Sequence, residues 1–510
     1  MECLERRMIA AMKKGYPLIL LLFFACSCAV SKKYDPAKKY SPPQLREDYT
    51  LFRNILEESH PSLYWYTSKD SIDYYFDQGA SQLKDSMPEY KFRNILSYVV
   101  AKIRCGHTSV RASKAASRYS DRSRSFSLPL SVKAWPDTVM VTSNLNRKDS
   151  NVTRGVILKS IEGRPIQSIV DTFFNYLSAD GYNLTHKYQT ISNGGMFRNM
   201  YGSIYGLRRK MNVEYVDTTG NVKVAQIDVY NPTLDSPARR PAIRKPSARE
   251  RRKMEFQAQR NMQVDTAKNM AIMELNGFSK SFRLRTFFRK SFKTLRKENI
   301  HNLVIDLRGN GGGSVVLSNL LTRYIANSPF KIADSIYAIK RKSKYHRYIE
   351  NYFQSRLFLL FMAHKRDDGN YHFRFYEKKL FTPKKKNHFN GDVYVLTGGN
   401  TFSAATLFAH TIKPQDNVTI VGEETGGGAY GNTAWLIPDV ELPNTKVRFR
   451  LPLFRLIIDK NEIKGRGVFP EVEALPTVQA IRRNEDFKMQ KVQQLISEKK
   501  QDSAVHGLSK

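Results

Sequence analysis

Apolar positions along this chain change their spacing three times, and each change marks a different kind of element. Between residues 45 and 111 they recur every three or four residues, the helical interval. The stretch QLREDYTLFRNILEESH predicts a helix that stops at the His60–Pro61 break. A second helix, in SMPEYKFRNILSYVVAKI, would take Ser86 as N-cap and Pro88 in its first turn. Phe92, Ile95, Leu96, Val99 and Val100 then share one face. The pattern runs out in RCGHTSV, so His107 falls in a loop entering a short strand at 108–111. From residue 126 the spacing shifts toward alternation. SFSLPLSVKAW and TVMVTSNL read as strands, and RGVILKSIEGRPIQSIVDTFFNYL as strand, turn at Glu162–Gly163, then helix. A small barrel-like, β-rich module over 112–233 with one or two helices fits this pattern. Between 234 and 264 periodicity disappears into Pro, Arg and Lys, which predicts an exposed basic insertion or mobile loop.

The third regime covers 265–480. NMAIMELNGF predicts a strand and SFRLRTFFRKSFKTLRKEN a helix. Leu303 to Leu307 is an uninterrupted apolar run, suited to a strand buried on both faces. A glycine turn follows, and then a helix over 314–327 with Val316, Leu317, Leu320, Leu321 and Ile325 directed inward. The order repeats in YVLTGGNTFSAATLFAHTIK, where a strand breaks at two glycines and resumes as a helix with Ser403 in its first turn. Strand, glycine turn and helix in succession predict an α/β domain with a largely parallel sheet. Residues 481–510 are left as a C-terminal helix and tail.

The N-terminus changes the picture of where the chain works. MKKGYPLILLLFFACSC joins two lysines, a short apolar run and small residues, which is the build of a secretory signal over residues 1–28 and too short for a comfortable membrane span. Its end, FFACSC, resembles a bacterial lipoprotein box, with Cys26 or Cys28 as the lipidated residue and 29–44 as a polar tether. An exported chain held on a membrane of the cell envelope by acyl chains is the expectation. Of four cysteines only Cys105 lies beyond residue 28, which excludes an intramolecular disulfide framework or cysteine metal cluster. The formal net charge is +36. Its lysines and arginines are scattered, concentrating only at 239–253 and 382–389 outside any nucleic-acid module. That favours a solvated basic face on anionic lipid and no nucleic-acid partner.

The glycines then raise the question of chemistry. DLRGNGGGS lacks the Lys-Ser/Thr of a phosphate-binding loop, and its spacing fails the dinucleotide fingerprint. What it does offer is backbone N–H groups with no side chain in the way, fit to hold an oxyanion. Ser403 on its own is placed either to cap its helix or to act as a nucleophile. NLVIDLRGNGGG, VYVLTGGNTFSAATLFA, VTIVGEETGGG and GRGVFPEVEA, in that order, resemble the signatures of the C-terminal processing (tail-specific) serine peptidases. IRCGHTSV resembles the histidine motif of their tricorn-like Ser/His branch, and Gly428 stands where the Ser/Lys branch has its lysine. The resemblance implies a crotonase-like α/β catalytic domain, a helical domain before it, and a PDZ-like domain carried by RGVILKSIEGRPIQSIV. It also implies Ser403 as nucleophile, His107 as base, and the Gly312 and Ala404 N–H groups as oxyanion donors. Glu462, with Asp459 behind it, is the candidate for orienting His107, although Lys464 stands nearest the usual glutamate position. Gly106 replaces the supporting serine of some relatives, and Glu471 the aspartate of the closing motif. The implied activity is hydrolysis of peptides or unfolded proteins through an acyl-enzyme, with no metal or organic cofactor. The alternative is an inactive lipoprotein that holds a peptide or apolar ligand on the same scaffold.

Overall fold

The computed structural model describes residues 34–122, 126–233 and 246–507. The signal segment with Cys26 and Cys28, and residues 234–245 of the basic insertion, lie outside them. Helix α1 (Pro42–Ser59) starts at Ser41, whose backbone N–H donates to Gln44 Oε1 at 3.0 Å in a capping box. Helix α2 (Lys69–Ala80) starts at Ser68, which accepts the Ser71 N–H. Its short, aromatic-rich stretch was not assigned from the pattern. Helix α3 (Glu89–Ile103) begins two residues later than Ser86 implies, because Met87–Pro88 is drawn into pairing with Lys39–Tyr40. Its five expected core residues are all buried, and it ends at Arg104 in the left-handed conformation, φ +58°.

These helices do not form a core alone. They share one with Val440, Leu442, Phe449 and Leu451 from late in the chain. Strand β1 (Val110–Arg111) also pairs antiparallel with Arg448–Arg450. The loop carrying His107 is thereby fastened to the C-terminal region at the strand that follows it.

A second core sits in the β-rich module. Strands β2 (Leu130–Trp135), β3 (Thr138–Asn144), β4 (Ile157–Ile161), β5 (Lys210–Val216) and β6 (Val222–Asp228) pair antiparallel in that order. Three helices accompany them: α4 (Ile166–Phe174), α5 (Leu184–Ser192) and α6 (Met196–Tyr205). Residues 248–265 do not form the loop expected through residue 264. Helix α7 (Ala248–Gln259) is closed by a reciprocal cap between Ser247 and Glu250, and β7 (Arg260–Asp265) pairs with β8 (Met270–Leu275). No residue of α7 is buried, so hydrophobic periodicity had nothing to report. The Ser-x-x-Glu cap was the readable sign.

The central sheet runs β7, β8, β9 (Asn302–Asp306), β11 (Asp392–Thr397), β12 (Val418–Gly422) and β17 (Val472–Glu473), parallel except at the β7 edge. Period-two alternation assigns its two faces. Leu303, Ile305, Val393 and Val395 face α8 (Leu284–Lys297), α9 (Val315–Ile325) and α12 (Ala404–Ile412). Val304, Tyr394 and Leu396 pack on the opposite side with Val492 of α13 (Phe487–Gly507). Val316 is 46% exposed rather than inward, because Leu317, Leu321 and Ile325 define the buried stripe. A further antiparallel sheet contains β10 (Ser335–Ala338), β16 (Phe454–Ile457) and β13 (Gly431–Ala434). Leu359 of α10 (Tyr352–Met362) and Tyr376 of α11 (Arg374–Lys378) pack against it.

Phe408 of α12 is wholly buried in the core between the sheet and its helices. Phe408→Ala is expected to lower unfolding free energy by about 3–5 kcal/mol in urea titration. A loss below about 1 kcal/mol would mean that α12 is not anchored there.

Candidate active site

The turn from β11 into α12 is pinned to the glycine loop after β9. Thr401 Oγ1 donates to the Leu307 carbonyl at 2.8 Å and accepts the Gly398 N–H at 3.1 Å. The Phe402 N–H donates to the Asn310 carbonyl at 3.0 Å. Held at both sides, Ser403 adopts φ +54°, ψ −120°, a conformation that costs a non-glycine residue on the order of 1–3 kcal/mol. Its hydroxyl makes no capping bond to α12. The backbone is therefore strained without the return that a cap would give. The Ala404 N–H is the first of the helix and has no hydrogen-bond partner among the described residues.

On the facing loop, Gly312 has φ +94°. A Cβ there would lie 2.7 Å from Ser403 Cβ and 2.9 Å from the Ala404 nitrogen, so only glycine allows this approach. The Gly312 N–H, however, donates to Asn310 Oδ1 at 2.9 Å. This corrects the expectation that it is free for an oxyanion. Among the described residues the Gly313 N–H has no such partner.

His107 reaches the same place from the front helices. Its loop is held by the Thr108 N–H to the Cys105 carbonyl and by His60 Nε2 against Thr108 Oγ1 at 2.8 Å. The ring is buried, and neither nitrogen has a hydrogen-bond partner among the described residues. Burial first, then the positive charges of Arg450 and His186, push its pKa down to about 3. The imidazole is thus neutral. Phe402 lies between two histidines, 4.9 Å from the His107 ring and 4.8 Å from that of His186.

Asp180 ties this loop to the turn after β12. One carboxylate oxygen accepts the Gly106 N–H at 2.8 Å and the other the Gly428 N–H at 3.2 Å. Burial pushes its pKa up to about 6 against those two bonds. A Cβ at Gly106 would sit 2.5 Å from Phe402 Cζ, so a serine there would have to displace that ring. At Gly428 it would sit 2.5 Å from the Gly431 carbonyl oxygen, so a lysine does not fit this backbone.

Glu462 is not brought to His107. Its carboxylate lies 3.3 Å from His410 Nδ1, and Asp459 lies 3.6 Å from His410 Nε2. Both acids clamp a histidine in the last turn of α12. Their spacing before the Gly-Val-x-Pro motif places them in the right loop but does not fix which way it faces. Asp180, His186 and Arg450 were missed by sequence reasoning. His186 follows the Asn183 cap of α5 at the interval Asn-x-x-His, with the cap accepting its N–H at 3.0 Å. That cap was legible, but nothing in it points to a distant serine.

Ser403 stands on the rim of two cavities. A cleft of about 790 Å³ is lined by Ser403, His107, His186, Gly312, Asn193 and Arg450. The other, about 630 Å³ and largely apolar, runs from Ser403, Ala404 and Leu407 toward Phe358, Phe373 and Trp435. Such a pair offers a polar floor for the peptide bond beside a socket for an apolar side chain.

Residues 269–474 match the model of peptidase family S41. A sequence search of curated proteins finds no match. Among solved structures the chain is similar to mature CPAF complexed with lactacystin, at TM-score 0.60 and 14% identity, covering 89% of this chain and 98% of that one. It is also similar to a CPAF mutant, at TM-score 0.63 and 13% identity, covering 90% and 97%. At this identity the structural likeness speaks for the fold, a mixed α/β arrangement of several sheets. The family match over the segment that holds Ser403 speaks for the chemistry. The match over residues 269–474 supports a serine-type peptidase of family S41.

Proposed function

We propose that this peptidase is an endopeptidase of the cell envelope that cleaves peptides or unfolded proteins through a Ser403–His107 acyl-enzyme. The observation that carries the reading is the strained, uncapped Ser403, which lines the same cleft as His107. The central sheet with α8, α9 and α12 supports a crotonase-like catalytic domain. The module over 112–233 supports a PDZ-like one. The envelope location rests on the signal-like N-terminus and its lipoprotein box. A peptide or protein substrate, and no nucleic acid, is the partner implied.

In this reading the neutral His107 ring takes the Ser403 hydroxyl proton as Oγ attacks the peptide carbonyl. The oxyanion accepts hydrogen bonds from the Ala404 and Gly313 N–H groups. His107 then delivers the proton to the leaving amine, and a water, deprotonated by the same ring, releases the acyl group. No carboxylate is assigned to His107. Asp180 acts on it through the Gly106 backbone, as a positioning residue. The apolar socket beside Ser403 receives a large apolar side chain of the substrate.

An active-site fluorophosphonate probe tests the dyad. Labelling is expected to vanish in Ser403→Ala and to fall at least ~100-fold in rate in His107→Ala, the scale of general-base assistance. Undiminished labelling of His107→Ala, or none of the folded parent chain, contradicts it; the latter outcome favours the ligand-binding alternative. Gly312→Ala is expected to abolish labelling while leaving the unfolding midpoint within a few degrees. Retained labelling would show that the space beside the Ala404 N–H is not used.

The pH dependence follows from the direction of the shifts. With the His107 pKa lowered to about 3, the base stays unprotonated well below the ordinary histidine value. Labelling at pH 5 is therefore expected to stay within about twofold of its rate at pH 7. A shallow step near pH 6, where Asp180 titrates, should disappear in Asp180→Asn. A steep limb centred at 6.5 in the parent chain would show instead that His107 titrates as an exposed histidine does.

A further inference from the structure

Helix α10 presents an apolar face that nothing in the described chain covers. Phe353, Leu357, Leu360 and Phe361 follow the interval i, i+4, i+7, i+8 and so fall on one side of the helix. Phe353 is 69% exposed and Phe361 68%. On the opposite side Ser355 and Leu359 are buried against the body of the protein. Nearby, Phe375 at the start of α11 and Leu380 just after it are more than half exposed. For bulky apolar groups to gather this way at a surface is uncommon and marks an interaction site.

The surroundings say what kind. Between residues 340 and 387 there are 14 Lys and Arg against 4 Asp and Glu. Arg356 projects exposed from α10 itself, and exposed His364, Lys365 and Arg366 follow its end. Arg341 donates to the Ala363 carbonyl at that same end. Three of the four acids are already engaged: Glu350 with Lys114, and Asp368 and Glu377 with His372. A second copy of this chain would bring the same cations against one another. An apolar stripe with a cationic border matches instead a surface that is anionic outside and hydrocarbon beneath. At 11 residues α10 is only about 16 Å long, so it would lie in the interface rather than cross it. No described helix is long and apolar enough to cross a membrane.

We propose that α10, with the basic segment around it, is a docking surface for an anionic lipid bilayer. It inserts Phe353, Leu357, Leu360 and Phe361 between headgroups while Arg356, Lys365 and Arg366 meet the phosphates. Phe358 and Met362 of the same helix line the apolar socket beside Ser403. Docking therefore sets the substrate-binding face next to the membrane. The inference stands on the exposed helix and its charge, and not on a lipid anchor at Cys26 or Cys28.

Hydrogen exchange of the full chain, read peptide by peptide, tests it without interference from the N-terminal segment. Vesicles of phosphatidylglycerol and phosphatidylcholine are expected to slow exchange over 352–366 at least fivefold, and pure phosphatidylcholine vesicles less than twofold. Phe353→Asp with Phe361→Asp should remove that protection while leaving fluorophosphonate labelling of Ser403, measured without lipid, within twofold. Lys365→Glu with Arg366→Glu should weaken protection and make it less sensitive to salt. Three results would each overturn the proposal: no protection of 352–366 by anionic vesicles, equal protection by neutral ones, or protection that rises with protein concentration in the absence of lipid. The last would assign the face to a second copy. Lost Ser403 labelling in the Phe353/Phe361 variant, with protection unchanged, would overturn it as well.

Discussion

The site depends on one constraint: the backbone at Ser403 is held where a side chain is normally disfavoured, and two loops hold it there. Thr401 grips the Leu307 carbonyl, and Phe402 donates to the Asn310 carbonyl. Gly312 comes so close behind that a methyl group would overlap Ser403 itself. These contacts make the end of β9 and the end of β11 one rigid object. A capping serine would have spent its oxygen on the helix; this one makes no such bond and lines the cleft.

The second half of the site arrives from the opposite end of the chain. His107 belongs to a loop of the front helices, and β1, just past it, pairs with Arg448–Arg450. Asp180, from the β-rich module, then joins the Gly106 and Gly428 backbones. Three stretches remote in sequence thus converge, two through a strand pair and the third through a buried carboxylate that accepts two backbone N–H groups. The cost appears in the electrostatics. His107 is so well buried beside Arg450 that its charged form is strongly disfavoured, and in the proposed reaction the oxyanion would have to balance the imidazolium.

The legible parts of the fold were those whose burial leaves a periodic trace. Leu303 to Leu307 and Val393 to Leu396 read as buried strands because both faces of the central sheet are covered, and the glycines after them announced the turns. Helix α7 left no trace because it buries nothing, and α3 started late because its first residues were captured by a strand pair. Ser403 and His107 were readable as candidates because their types and neighbours carry a motif, and both line one cleft. Their partners were not readable. Glu462 lies in the expected loop but faces His410, a matter of loop direction that spacing does not encode. Asp180 works by accepting backbone N–H groups, which any acid in any turn is able to do. Its role exists only once the modules are packed.

In the proposed reaction a hydroxyl, an imidazole and two amide donors meet around one carbonyl carbon. The most direct measurement is a crystal structure of the chain after reaction with a peptidyl phosphonate. The expected result is phosphorus bonded to Ser403 Oγ, its oxyanion at about 2.7–3.1 Å from the Ala404 and Gly313 nitrogens, and a His107 ring nitrogen within about 3.2 Å of Oγ. Phosphorus on another residue, or both His107 nitrogens out of hydrogen-bond reach of Oγ with Ser403 modified, would contradict it.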